Sequence, residues 1–99
     1  VAISLACCSP LLFRPTQQDV DMASKKWAGT TQEQLDHGYS LYIAKCGGCH
    51  YLHKPAEYTE ERWMKIMPDM KTEAKLDSAQ YDLIVRYVVT KSYTMATPN

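Results

Sequence analysis

Cys46-Gly47-Gly48-Cys49-His50 is the stretch on which the rest of this chain depends. C-x-x-C-H is the attachment sequence for a c-type haem: the two thiols add to the haem vinyl groups as thioethers, and the adjacent histidine ligates the iron. The spacing has a physical reason. Two intervening residues let the thiols reach neighbouring vinyls on one edge of the ring, and the adjacent imidazole is then carried beneath the metal. Gly47 and Gly48 have no side chains to obstruct that approach. Cys46 and Cys49 are therefore expected to tether one haem c, with His50 as its proximal ligand.

The chain has 99 residues, the size of one small domain. A chain so short buries little surface, and a covalently held apolar ring supplies a centre that its helices could not make alone. Lys plus Arg equals Asp plus Glu at 11 each, so nothing in the charge points to nucleic acid as a partner. The four cysteines fall as an adjacent pair, Cys7 and Cys8, and as the C-x-x-C pair, which is no framework of disulfides. Cys46, Cys49, His50 and His53 are too closely spaced to close around one zinc ion, and no second C-x-x-C exists. A thioredoxin-like dithiol needs a strand before it and a βαβ pattern around it, neither of which is present. No window is apolar for long enough to span a bilayer.

Val1 to Ala6 are small or apolar and run into Cys7, Cys8, Ser9 and Pro10. This resembles the end of a bacterial lipoprotein signal, with Cys7 the expected lipidation site and Cys8 the alternative. Residues 1–15 are read as signal remnant and tether, 16–93 as the domain, and 94–99 as a flexible tail.

Within the domain the apolar pattern is helical throughout, with no sustained strand-like alternation. Thr16 with Asp19 opens a short helix that runs to about Lys26, after which Trp27 packs on the domain. Thr31 with Gln34 opens a second helix, carrying Leu35, Gly38, Tyr39, Tyr42 and Ile43 up to the haem motif. Pro55 ends the loop after the motif. Thr59 caps a third helix, with Glu60 and Glu61 in its first turn and Trp63, Ile66, Met67 and Met70 along one face. Pro68 is predicted to kink or restart this helix. Asp77 or Ser78, with Gln80, caps a last helix bearing Tyr81, Leu83, Ile84, Tyr87 and Val88, with Lys91 near its end, and Ser92 to Asn99 is predicted to fray.

In the order of its parts the chain resembles a small monohaem class I cytochrome c: a helix with Gly38 and Tyr42, the haem motif, a methionine, then a helix with Leu83 and Tyr87. The stretch Trp63 to Tyr87 also resembles short lipoprotein cytochromes of bacteria. The resemblance implies an all-α, cytochrome c-like fold, with three core helices around a covalent haem and a short N-terminal helix besides. It implies that the first and last core helices cross closely at Gly38, Tyr42, Leu83 and Tyr87. It also implies a thioether as distal iron ligand. Met22 and Met95 lie in segments that need not approach the ring, which leaves Met64, Met67 and Met70. Met70 stands where the family places its ligand, and Met67 is the next candidate. Pro55 either takes the place of the family proline beside which a carbonyl accepts the proximal imidazole's hydrogen bond or is a simple turn residue.

The expected activity is electron transfer rather than enzyme catalysis, with transient redox-protein partners, in the periplasm, at a membrane reached through the N-terminal lipid. Two other readings stand beside it: a ligand-responsive or weakly peroxidatic haem protein with a labile distal site, and a haem subunit of a larger respiratory complex.

Overall fold

A computed structural model describes residues 14–46 and 54–96. Four α-helices are present among them, α1 Gln17–Lys26, α2 Gln32–Leu41, α3 Glu60–Glu73 and α4 Ser78–Ala96, and no strand. The chain is all-α, as its periodicity predicts.

Each helix starts where a side chain can satisfy its first amides. Asp19 N donates to Thr16 Oγ1 at 3.2 Å, and Thr16 N donates to Asp19 Oδ2 at 2.7 Å. The same reciprocal pair recurs between Thr31 and Gln34, with both bonds at 3.1 Å, and between Asp77 and Gln80, at 2.7 and 3.0 Å. Arg62 N donates to Thr59 Oγ1 at 3.2 Å at the start of α3, where Glu60 and Glu61 face the positive end of the helix dipole. Asp77, not Ser78, is thus the cap of α4.

The far end of α3 is closed by backbone alone. Lys75 takes the left-handed conformation at φ 55°, its N–H bonds Thr72 O at 3.2 Å, and Leu76 N bonds Lys71 O at 2.9 Å. This paired pattern satisfies carbonyls that the helix leaves without partners and turns Leu76 into the core.

Helix α4 is the element on which the others pack. From Ile84 to Ser92 every residue but Arg86 is buried, so the helix meets neighbours on nearly all sides. Its most extensive contact is with α2, and α1, α3 and the Pro55–Glu57 turn also lie against it. The crossing with α2 is at Gly38, where a Cβ would run into the Leu83 carbonyl oxygen and stand 3.0 Å from Tyr87 Cβ. Only a residue without a side chain lets the two backbones come this close. Tyr87 then meets Tyr39 and Tyr42, each with ring centroids 5.7 Å away, which is the crossing expected from Gly38, Tyr42, Leu83 and Tyr87.

Two expectations need correction. Of the kink or restart predicted at Pro68, the restart does not occur, since α3 runs through Pro68 to Glu73. Pro68 and Met64 are both exposed, so the carbonyl that the proline leaves without a donor is on the solvent side of the helix, where water serves. Helix α4 does not fray at Ser92 but continues to Ala96. Its last turns are held by Ser92 Oγ on Val89 O at 2.6 Å, by Thr94 Oγ1 on Asp19 Oδ1 at 2.5 Å and by Met95 against the core.

The N-terminal helix is fastened by a buried ion pair. Lys91 Nζ lies 2.8 Å from Asp19 Oδ2, with side-chain exposures of 8% and 2%, and also donates to Arg14 O at 2.8 Å. At the other end of α1, Arg86 Nη1 donates to Thr30 Oγ1 at 3.0 Å and its guanidinium lies over the Trp27 ring. Among the described residues, no helix is long and apolar enough to cross a membrane.

Candidate haem-binding site

Helix α2 passes into the haem motif through a π-helical turn, Tyr42–Cys46. Such turns insert a residue into the helical ladder and re-aim the residues beyond it. Tyr42 is buried at its start, and burial, with Cys46, Glu57 and Tyr58 nearby, raises its phenol well above the ordinary value. Cys46 ends the turn half-buried, with its side chain packed against the core. Cys49 and His50 lie outside the described residues, as do Cys7, Cys8 and His53.

The methionines on α3 differ in how much of them the polypeptide already covers. Met67 is 1% exposed and belongs to the core, beside Tyr42, Trp63, Leu76, Ile84 and Tyr87. Met64 is exposed to solvent. Met70 is half-buried, packed against the core on one side and open on the other, and so are Ile66 and Ala74, one turn before it and one turn after. Residues four apart fall in one row on a helix, so Ile66, Met70 and Ala74 form an apolar strip at the edge of the core. A thiol at the end of the π turn and a half-covered apolar strip, both packed against one core, suit the attachment and burial of a covalent haem. The residues present therefore fit the group.

Trp63 joins the two ends of the loop that carries the motif. It is 3% exposed, its Nε1–H donates to Pro55 O at 2.8 Å, and its ring stands edge-on to Tyr42 and to Tyr58, with centroids 6.1 and 5.2 Å away. The Pro55 carbonyl is thus a partner of the Trp63 indole, a contact that the sequence pattern does not announce. Of the other residues near the motif, His37 and Lys54 are exposed and Lys45 is half-buried.

A cleft of about 670 Å³ opens between the start of α3 and the end of α4, lined by Tyr58, Glu60, Met64 and Tyr93 among others. Neither Cys46 nor Met70 lines it. On its wall Glu60 binds Lys26 Nζ at 2.8 Å and the Tyr93 hydroxyl at 2.6 Å. The Lys26 ammonium, and after it the Tyr93 hydroxyl, lowers the Glu60 carboxyl below its ordinary range.

A helical domain in which a glycine-mediated helix crossing precedes C-x-x-C-H has the make-up of a c-type cytochrome. The family model for dihaem cytochrome c matches residues 42–98, more than half of the chain, and the chain belongs to that family. The matched residues take in the haem motif, α3 and α4. Membership brings with it covalent haem c and haem-based electron transfer. No curated protein and no solved structure matches the chain.

Proposed function

We propose that the chain transfers electrons through one haem c attached at Cys46 and Cys49, with His50 the proximal and Met70 the distal ligand. It works as a carrier, not an enzyme, in the bacterial periplasm, tethered by a lipid on Cys7 and meeting redox-protein partners transiently. The observation that carries the ligand choice is the half-covered state of Met70 between Ile66 and Ala74, set against the complete burial of Met67. A thioether already enclosed by core side chains has no open side to offer a metal, whereas one at the edge of the core does.

Haem c supplies one-electron chemistry when bound. The polypeptide's part is to keep its donors still. Cys46 is anchored by the π turn that continues α2, and Met70 by a helix packed on α4, so both rest on elements that share one core. Ile66 and Ala74 give the thioether apolar neighbours one turn to either side. The placement at a membrane rests on Leu5-Ala6-Cys7 and on the oxidising side on which such haem attachment proceeds.

Visible spectra of the holo-protein in both oxidation states test this. A low-spin spectrum is expected, with a methionine-to-iron charge-transfer band when oxidised and no response to carbon monoxide when reduced. Met70→Ala is expected to turn the spectrum high-spin. If Met67→Ala does so instead, the ligand is misassigned; if the native protein is high-spin and takes up carbon monoxide readily, it is a ligand-binding protein and not a carrier. The mass of the mature N-terminus decides the lipid.

A further inference from the structure

We propose that Trp63 is the positioning residue of the site, holding the residues on either side of the haem motif, Tyr42 before it and Pro55 and Tyr58 after it, to the methionine-bearing helix in one geometry so that the thioether stays on the iron. This rests on the His50 and Met70 reading above. Four residues before Cys46, Tyr42 packs edge-on to the Trp63 ring; after the loop, Pro55 O takes the indole N–H at 2.8 Å and Tyr58 also packs edge-on to the ring. A single side chain therefore touches the residues that lead into the loop and those that leave it. That side chain sits on α3, one turn before Met67 and two before Met70.

The arrangement is stiff for physical reasons. The indole bond is buried, so losing it leaves a carbonyl away from water with only the longer 3.4 Å bond from Tyr58 N. Aromatic rings locked edge-on resist sliding, because a shift takes the positive rim of one ring off the negative face of the other. Met67, fully buried on the same helix, prevents α3 from rolling to compensate. A change at Trp63 thus reaches Met70 through a rigid helix, and a change at Met70 reaches Trp63 by the same route, since coupling between two sites is reciprocal.

Imidazole, an external ligand that competes with the thioether for iron, gives the test when titrated against the oxidised holo-protein. Trp63→Phe keeps a ring but removes the donor, and it is expected to bind imidazole about tenfold more tightly than the native protein. Trp27→Phe serves as the control, because Trp27 packs on the core beneath the Arg86 guanidinium and makes none of the contacts of Trp63 to Tyr42, Pro55 and Tyr58, and the affinity of this variant for imidazole is expected to stay native. Should Trp63→Phe fail to fold, hydrogen exchange at the Trp63 indole N–H is compared in the native protein and in Met70→Ala, with about tenfold faster exchange expected in the variant. Native imidazole affinity in Trp63→Phe, an equal change in both tryptophan variants, or unchanged indole exchange in Met70→Ala would overturn the proposal. Absence of the methionine charge-transfer band from the native protein overturns the ligand assignment itself, and the positioning role with it.

Discussion

Lys91→Met breaks the ion pair that fastens α1 to α4, and its cost can be worked from the contacts. Asp19 Oδ2 accepts from Lys91 Nζ at 2.8 Å, from Thr16 N at 2.7 Å and from Thr16 Oγ1 at 3.1 Å, while Oδ1 accepts from Thr94 Oγ1. Without the ammonium, a carboxylate with a side-chain exposure of 2% keeps its hydroxyl and amide donors but loses its counter-charge. Breaking one partner of such a buried pair costs about 3–5 kcal/mol, a large share of the roughly 5–15 kcal/mol that stabilises an ordinary domain. With a urea dependence of about 1.5 kcal/mol per molar, the midpoint falls by about 2–3 M. The assay is urea denaturation of the holo-protein followed by far-ultraviolet circular dichroism. The double variant Asp19→Leu, Lys91→Met removes both charges from the interior and is expected to recover most of the loss, giving a coupling energy well above that of an exposed pair. A midpoint within about 0.5 M of native for Lys91→Met, or a double variant as unstable as the sum of the singles, would refute the buried pair.

At the helix crossing, Gly38→Ala places a Cβ against the Leu83 carbonyl and is expected to cost about 1–3 kcal/mol, read as a lower thermal midpoint. Lys75→Gly should act in the opposite sense, stabilising by about 1 kcal/mol and raising the midpoint, because the native φ of 55° is strained for a residue with a side chain and not for glycine. Glu60 is held below its ordinary value of 4.5 by Lys26 first and Tyr93 second, so its contribution is present above that value and is lost as the pH falls through the depressed one. An acid titration of stability is expected to lose this step in Glu60→Gln, and an unchanged acid limb would count against the cluster.

How much of the fold is legible in the sequence depends on the range over which each feature acts. The pairs Thr16 with Asp19, Thr31 with Gln34 and Asp77 with Gln80 are three residues apart, so the starts of three helices are visible without tertiary knowledge. The Gly38 crossing is legible only through resemblance, since a glycine in a helix by itself does not name the element it meets. Asp19 and Lys91 are 72 positions apart and of types that normally face water, so nothing local marks them as buried partners. Asp19 also takes the Thr94 hydroxyl, one of the contacts that keep Ser92 to Ala96 helical where a polar end suggests fraying. Pro68 does not restart its helix, because its cost depends on whether the carbonyl it orphans faces solvent, which a sequence does not state. Met67 and Met70 share one stripe, and periodicity cannot rank them; burial separates a methionine enclosed in the core from one at its edge.

The number of haems is the point at which family and sequence pull apart. The family is described as dihaem, yet these 99 residues contain a single C-x-x-C-H. A second covalent haem would need two more thiols, and the chain has Cys7 and Cys8 alone. Cys7 and Cys8 are adjacent in sequence and lack the two intervening residues that let C-x-x-C thiols reach neighbouring vinyls on one haem edge. Ser9 comes next, where an iron ligand is required. This chain is therefore expected to carry one haem, added at Cys46 and Cys49. Intact mass under denaturing conditions, which covalent haem survives, should exceed that of the same polypeptide without haem by one haem. Cys46→Ala with Cys49→Ala should abolish that increment. A mass increment of two haems, or one haem retained in the double variant, would show that the N-terminal cysteines attach a ring, and it would end the reading of Cys7 as a lipid site at the same stroke.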